Sequence, residues 1–349
     1  MQRGGMRRII KRVLAGLFFF ILLLVIFNWN LVSYGVRQAR GQLNIVWNAR
    51  PVEEYMQDPS FPDSLKGKLQ LIQDVRRYAI DSLGLEDTKN YKTLYDQQGK
   101  EIMWVVTASR PFQLIPKEWT FPVLGAVPYK GFFDEAEAEK LAEALKSEQW
   151  DVSVRNPGGW STLGWFTDPI LSKMLEKNEG DLASLIIHEM VHATIFVKDS
   201  VGFNENLASF IGDRGAEQFL ASAFGVESPE YIKYVNEDSD YMKYSDHILR
   251  GTALLDSLYT AIADDPVDQK QELKEAMIRR IVDAMDTLVL LSVKNPSIKF
   301  QDELPNNAYF MSFIHYQSGQ DELWKEWRQT FGGDLRAYIH FLSEKYPFL

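Results

Sequence analysis

Two histidines four residues apart, with a glutamate directly after the first, stand at His188-Glu189-Met190-Val191-His192. On a helix, residues four apart project to one side about a turn from each other. Two imidazoles at that spacing can reach one tetrahedral zinc ion, and Glu189 can then serve as general base on a water at the metal. The run around them predicts the helix, with Leu182, Leu185, Ile186, Val191 and Ile195 as its apolar face. The plainer reading is a surface helix with two unrelated histidines.

A catalytic zinc of this kind takes a third protein ligand and keeps the fourth position for water. Asn204-Glu205-Asn206-Leu207-Ala208 opens a second apolar-periodic run that continues through Phe210, Ile211, Ala216, Phe219 and Leu220. The segment 197–202 between the runs is a loop. The prediction is helix, short loop, helix, with Glu205 in the first turn of the second. A short loop favours antiparallel neighbours, so Glu205 can fold back beside the histidines. Its alternative is a carboxylate favoured by the helix dipole. Asp213, two turns further on, could orient a zinc histidine from behind or be a solvated carboxylate. His247 and His340 have no partner at ligand spacing and are expected to be structural or superficial.

The elements that must position these groups are strands first, then helices. Leu65 to Leu83 has helical spacing and stops at Gly84. Strands are expected at 102–107, within 121–133, at 151–154 and at 160–166, with a helix at 134–149. Trp160 to Phe166 could be an edge strand that pairs with an extended substrate, Gly164 allowing close backbone approach, or an ordinary core strand. Asp168-Pro169 should start the next helix. After Gly180 the chain reads as almost wholly helical, with clear helices at 266–291 and 321–345. The fold class is therefore α+β, a small mixed or antiparallel sheet packed on a largely helical domain with the metal-helix pair beneath it.

The chain has 349 residues, 46% hydrophobic and 13% aromatic, enough to bury a sizeable core. Its net charge is −10. Arg3, Arg7, Arg8, Lys11 and Arg12 give the first twelve residues +5, which leaves −15 on residues 13–349 and argues against nucleic-acid binding. Residues 13–32 form an apolar run long enough to span a membrane as a helix. The basic cluster before it predicts a cytoplasmic N-terminus 1–12, an uncleaved anchor in the cytoplasmic (inner) membrane and an exported, periplasmic domain over 35–349. A cleaved signal peptide is the rival. The absence of cysteine excludes disulfides, thiolate ligands and a thiol nucleophile.

The chain resembles the bacterial "putative aminopeptidase" family of H-E-x-x-H zinc proteins, in the gluzincin group. The resemblance runs over Gly41-Gln42-Leu43 with Arg50-Pro51, Leu83-Gly84-Leu85, and Phe121-Pro122-Val123-Leu124-Gly125. It continues through Tyr129-Lys130-Gly131-Phe132-Phe133, the stretch from Ser161 to Pro169, the histidine motif, Phe203-Asn204-Glu205 and Asn306-Asn307-Ala308. Many members carry a lipoprotein cysteine, and members often have cysteines near the positions of Thr120 and Ala126; this chain has neither. The resemblance implies one Zn2+ per chain on His188, His192 and Glu205, Glu189 as catalytic base, and a peptide substrate. In gluzincins a Tyr or His from a later helix stabilises the oxyanion. Tyr316 is the first candidate here, with His315 and Tyr309 beside it. No motif for binding a free α-amine is visible, so exopeptidase and endopeptidase stay open. Two other classes stand against the peptidase, a non-enzymatic zinc scaffold of the envelope and a hydrolase of a non-peptide amide. A closed structural zinc site would not need Glu189.

Overall fold

Helix dominates the computed structural model, which describes residues 3–121, 125–157, 167–198 and 200–346. The chain divides into two compact units, Met1–Asn48 and Ala49–Leu349.

The first unit is α1 (Arg3–Phe27) and α2 (Trp29–Asn48). A single span over 13–32 is not what forms, because the helix breaks at Asn28 and the two axes bend by 90°. Asn28 Nδ2 and Asn28 N both donate to Leu24 O, at 2.9 and 3.0 Å. A side-chain amide that competes with the backbone for one carbonyl bends a helix. Among the described residues no single helix is long and apolar enough to cross a membrane; α1 and α2 meet the length and hydropathy only as a bent pair.

The second unit opens with β1 (Arg50–Pro51), α3 (Val52–Gln57) and α4 (Asp63–Tyr78). A π-helical turn at Ala79–Leu83 extends α4 and ends at Gly84, whose φ of +80° is the left-handed conformation that glycine adopts freely. Then come β2 (Thr93–Tyr95), β3 (Trp104–Ser109), β4 (Trp119–Phe121), β5 (Gly125–Val127) and β6 (Lys130–Phe132). The chain continues through α5 (Glu135–Ser147), β7 (Asp151–Arg155) and β8 (Ile170–Leu171). The remainder is helical: α6 (Glu179–His192), α7 (Val201–Ala223), α8 (Pro229–Ala261), α9 (Val267–Ala284), α10 (Asn307–Gln317), α11 (Gln320–Phe331) and α12 (Leu335–Lys345).

The expected single sheet is three small ones. β6-β3-β7 is antiparallel throughout and β4-β5 is a hairpin. In β1-β2-β8 the first pair is antiparallel and the second parallel. The predicted strand at Trp160–Phe166, with Gly164, lies outside the described residues, as does Pro122–Leu124. Asp168-Pro169 starts no helix: Asp168 is fully buried in the extended segment before β8, its carbonyl accepting from Tyr91 N at 2.8 Å. The helix expected at 321–345 is two, because Gly332 and Gly333 take φ of +63° and +87° and end α11. The helix expected at 266–291 stops at Ala284 and passes into a 3-10 turn, Met285–Thr287.

Helix α6 is the centre of the core. Asn178 caps it by accepting from Asp181 N at 2.8 Å. Leu182, Ala183, Ile186, Ile187, Met190 and Val191 are all buried, between α4 on one side and α7 on the other. A second cluster, around Ile248, Leu255, Ile281, Met285 and Phe310, joins α8, α9 and α10. The sheet does not lie directly on the α6–α7 pair. Helix α10 stands between them, packing on α7 and α8 and also on β3 and β7.

Asn306 and Asn307 seat that helix. Asn306 Oδ1 caps it from Ala308 N at 3.0 Å, while Asn306 Nδ2 donates to Val152 O at 2.9 Å. Asn307, completely buried, accepts from Tyr259 Oη at 2.7 Å and donates to Arg110 O and Pro111 O at 2.9 and 3.1 Å. Its own amide N donates to Asp151 Oδ2 at 2.8 Å, an oxygen that also receives the buried Lys274 Nζ at 2.6 Å.

Candidate metal centre

His188 and His192 occupy the last turn of α6 and their Nε2 atoms converge to 3.1 Å. Glu205 reaches both from α7, Oε2 at 3.5 Å from His188 Nε2 and Oε1 at 3.6 Å from His192 Nε2. The three donor atoms lie within 4.8 Å of one another. Two imidazoles and a carboxylate are a donor set that zinc accepts, and ligand atoms on a tetrahedral zinc shell stand roughly 3.3 Å apart.

The convergence has local causes. The chain approaches itself where α7 carries glycine. A Cβ added at Gly212 would come to 3.0 Å from Ser184 O and 3.2 Å from His188 Cβ, and one at Gly215 to 2.9 Å from Leu83 Cδ1 and 3.1 Å from Ile187 Cδ1. Helix α7 starts at Val201, so Glu205 sits one turn inside it rather than in its first turn. Its neighbours hold the register. Asn204 Oδ1 accepts from Val197 N at 2.9 Å and Asn204 Nδ2 donates to Val197 O at 2.8 Å, which clamps the α6–α7 connection onto α7. Asn206 Oδ1 accepts from Gly319 N at 2.8 Å and ties α7 to the α10–α11 junction. Successive helical positions turn by about 100°, so these two anchors leave Glu205 facing the histidines.

The charges respond to this crowding. Burial works to raise the Glu205 carboxyl, but hydrogen bonds from His188 and His192, and their charge, hold it well below the usual carboxylate range. Burial would lower His192, yet the Glu205 hydrogen bond and the Glu205 and Glu189 charges leave it raised. Burial pushes Glu189 up; His188 and His192 oppose this, and Glu205 and Asp168 add to it. Glu189 Oε2 and His192 Nδ1 are buried with no hydrogen-bond partner among the described residues.

Beside the triad opens a small cleft lined by Glu205, Tyr129, Arg155 and Tyr316. Arg155 Nη2 donates to Tyr316 Oη at 3.4 Å, and the guanidinium carbon lies 5.9 Å from the ring centre. Burial, reinforced by the Glu205 charge, raises both tyrosines well clear of neutral pH, so both hydroxyls keep their protons.

The "Putative aminopeptidase" family matches residues 33–344. The chain belongs to that family. No curated protein and no solved structure matches the chain. For this aminopeptidase-family chain, the structure brings four of the five sequence candidates into or beside one triad, His188, His192 and Glu205 with the buried Glu189, and sets the fifth, Tyr316, in the adjoining cleft. Tyr309 is not there. It bonds the Tyr244 hydroxyl and packs its ring against Phe300 and Phe313 in the second core cluster. The side chain of His315 lies outside the described residues.

Asp213 is not a solvated carboxylate. It is half-buried and accepts from Ser184 Oγ at 2.8 Å and Tyr234 Oη at 3.3 Å, so it links α7 to α6 and α8. Burial, with Asp238 adding to it, raises its pKa to about 6; the Ser184 hydrogen bond and the Arg214 and His188 charges work the other way. His247 Nε2 meets Ile281 O at 2.8 Å and is structural, and His340 is exposed beside Glu344.

Arg155 and Tyr129 were not legible as site residues. Tyr129 lies in the stretch that carries the family resemblance, which flags the position without naming a role. Arg155 falls one residue past the expected end of its strand, and nothing local marks it.

Proposed function

We propose that this chain is a zinc-dependent peptidase in which His188, His192 and Glu205 hold the metal and Glu189 is the general base. The observation that carries the reading is the convergence of two Nε2 atoms and one carboxylate from two helices, 3.1 to 3.6 Å apart, next to a buried carboxylate with an unpaired oxygen. When bound, the metal supplies a Lewis acid that polarises the scissile carbonyl and acidifies a water. Glu189 takes the proton from the attacking water and passes it to the departing amine. Its raised pKa favours the first half of that task, because a more basic carboxylate accepts the proton of the attacking water more readily than one at the solvent value.

Tyr316 is the oxyanion donor in this reading. Arg155 donates to its oxygen, which leaves the phenolic hydrogen free to point at the developing charge, and removing one such donor typically costs about 10²–10³ in kcat. Asp213 holds Ser184 one turn before His188 and steadies the helix that carries the two imidazoles. The gluzincin-type arrangement and the single zinc belong to this same proposal. We place the catalytic unit on the exported side of the cytoplasmic membrane, with the N-terminal unit as anchor. The support is the apolar surface of α1, where Phe18, Phe19 and Phe27 are 64%, 63% and 83% exposed, behind five basic residues.

The test is turnover of a mixed peptide pool by the full-length protein in detergent, read by mass spectrometry. Glu189→Gln should retain its zinc and lose activity by at least about 10³-fold, and Tyr316→Phe should retain zinc and lose about 10²-fold in kcat. Unchanged cleavage in Glu189→Gln would overturn the mechanism; unchanged kcat in Tyr316→Phe would remove only the oxyanion assignment.

A further inference from the structure

Among the described residues that line the cleft next to the triad, two are charged, Glu205 and Arg155. The proposed function commits Glu205 to the metal, so the charge left to meet a substrate is the Arg155 guanidinium. Among the described residues no carboxylate forms an ion pair with it; its hydrogen bond goes to a neutral phenol, Tyr316 Oη. A guanidinium has five N–H donors in a planar fork, so the bond to Tyr316 uses only part of its capacity. Strand β7 fixes it, since Arg155 pairs with Val105 in the β3–β7 ladder. The other polar side chains of the lining are Tyr129, Tyr316 and Thr107, whose hydroxyls can donate, and Ser312, whose Oγ already donates to Tyr309 O at 2.7 Å.

This lining suits the opposite charge from the one the family description suggests. A free α-amine would be repelled by Arg155 and would find no carboxylate among the described lining residues other than Glu205. A carboxylate would find a bidentate partner, the geometry in which arginine binds most strongly and selectively.

We propose that Arg155 anchors a carboxylate subsite, so that the preferred substrates place a carboxylate in this cleft beside the metal centre. That carboxylate comes either from a free C-terminus or from an aspartate or glutamate side chain. The inference rests on the reading of the triad as a peptidase centre, and its test is arranged to stand apart from that reading.

One hexapeptide is made in four forms, with a C-terminal acid or amide and with Glu or Gln inside. Binding is measured by calorimetry to the full-length, zinc-loaded Glu189→Gln protein, which does not depend on turnover. At least one carboxylate form should bind about tenfold more tightly than the amide form with Gln, and the arm that carries the difference identifies the source. Adding Arg155→Gln should bring all four forms to within about twofold of each other. Arg155→Lys, which keeps the charge and loses the fork, should retain part of the difference and serves where Arg155→Gln does not fold. Equal or absent binding of the four forms to the Glu189→Gln protein would overturn the subsite. So would a difference that survives the loss of Arg155, since the carboxylate would then be held elsewhere, for instance on the metal. Arg155 also orients Tyr316, so catalytic rates are expected to fall for every peptide and are not the readout. Cleavage of the four peptides by the wild-type protein is scored separately: no cleavage would count against the peptidase reading, while the binding result would still decide the subsite.

Discussion

At the scale of single residues, the centre holds more charge than water-excluded space tolerates unless each group has a counterpart. Glu205 is stabilised by two imidazoles, whereas Glu189 is buried beside them with an oxygen that meets nothing described. Leaving a buried acceptor unsatisfied costs about 1–3 kcal/mol, a cost tolerated where the group has chemistry to do. Asp213 shows the same tension and allows a direct measurement. Its folded pKa of about 6 lies above the ordinary aspartate value, so folding favours its protonated form. The stability it allows is present below the unfolded pKa, near 4, and is lost as pH rises through about 6. In the metal-free protein, wild type should therefore lose on the order of 2 kcal/mol relative to Asp213→Asn between pH 4 and pH 7. Urea denaturation of the two proteins at a series of pH values checks this, and parallel curves would contradict it.

At the scale of elements, the site exists because two helices touch. Gly212 lets α7 approach the backbone of Ser184 and His188 on α6, and an added Cβ would sit at 3.0 to 3.4 Å from three of their atoms. Gly212→Ala should push the helices apart by a few tenths of an ångström, lower stability by about 1–3 kcal/mol and weaken zinc binding by about tenfold or more. Competition with a chelator and a thermal melt would read both; unchanged metal affinity would show that the contact does not set the ligand spacing.

The side-by-side placement of His188, Glu189 and His192 was legible in sequence because they lie within about one turn of one helix. Glu205 was legible because the loop before it is short. Helix α4 and its stop at Gly84 were legible for similarly local reasons. The break between α11 and α12 had a sequence signal in Gly332-Gly333 that the apolar periodicity on either side overrode. Arg155, Tyr129 and the division into three sheets depend on which strands pair across long separations. No local pattern encodes that, and the two-residue strands β1 and β8 are too short to show a period.

At the scale of the whole molecule, α10 is the connection between the α6–α7 pair and the sheet that carries Arg155. Its seat is polar: Asp151, Lys274, Asn307 and Tyr259 form one buried chain of hydrogen bonds across β7, α9, α10 and α8. Such a chain stabilises one arrangement only while all its members are present. Lys274→Met should strand the Asp151 charge and destabilise the protein by about 3 kcal/mol. Because β7 carries Arg155 and α10 carries Tyr316, the loss should also show as altered peptide binding. A melt within a degree of wild type would contradict it.

Whether His188, His192 and Glu205 together hold one metal ion is decided by the zinc content of the purified full-length chain, as wild type and as Glu205→Ala, after dialysis against a weak chelator. One zinc per wild-type chain, lost from a Glu205→Ala protein that remains folded, is the predicted result. A wild-type protein that is folded yet takes up no zinc would contradict it, and zinc retained at full stoichiometry by Glu205→Ala would show that the third ligand is another residue.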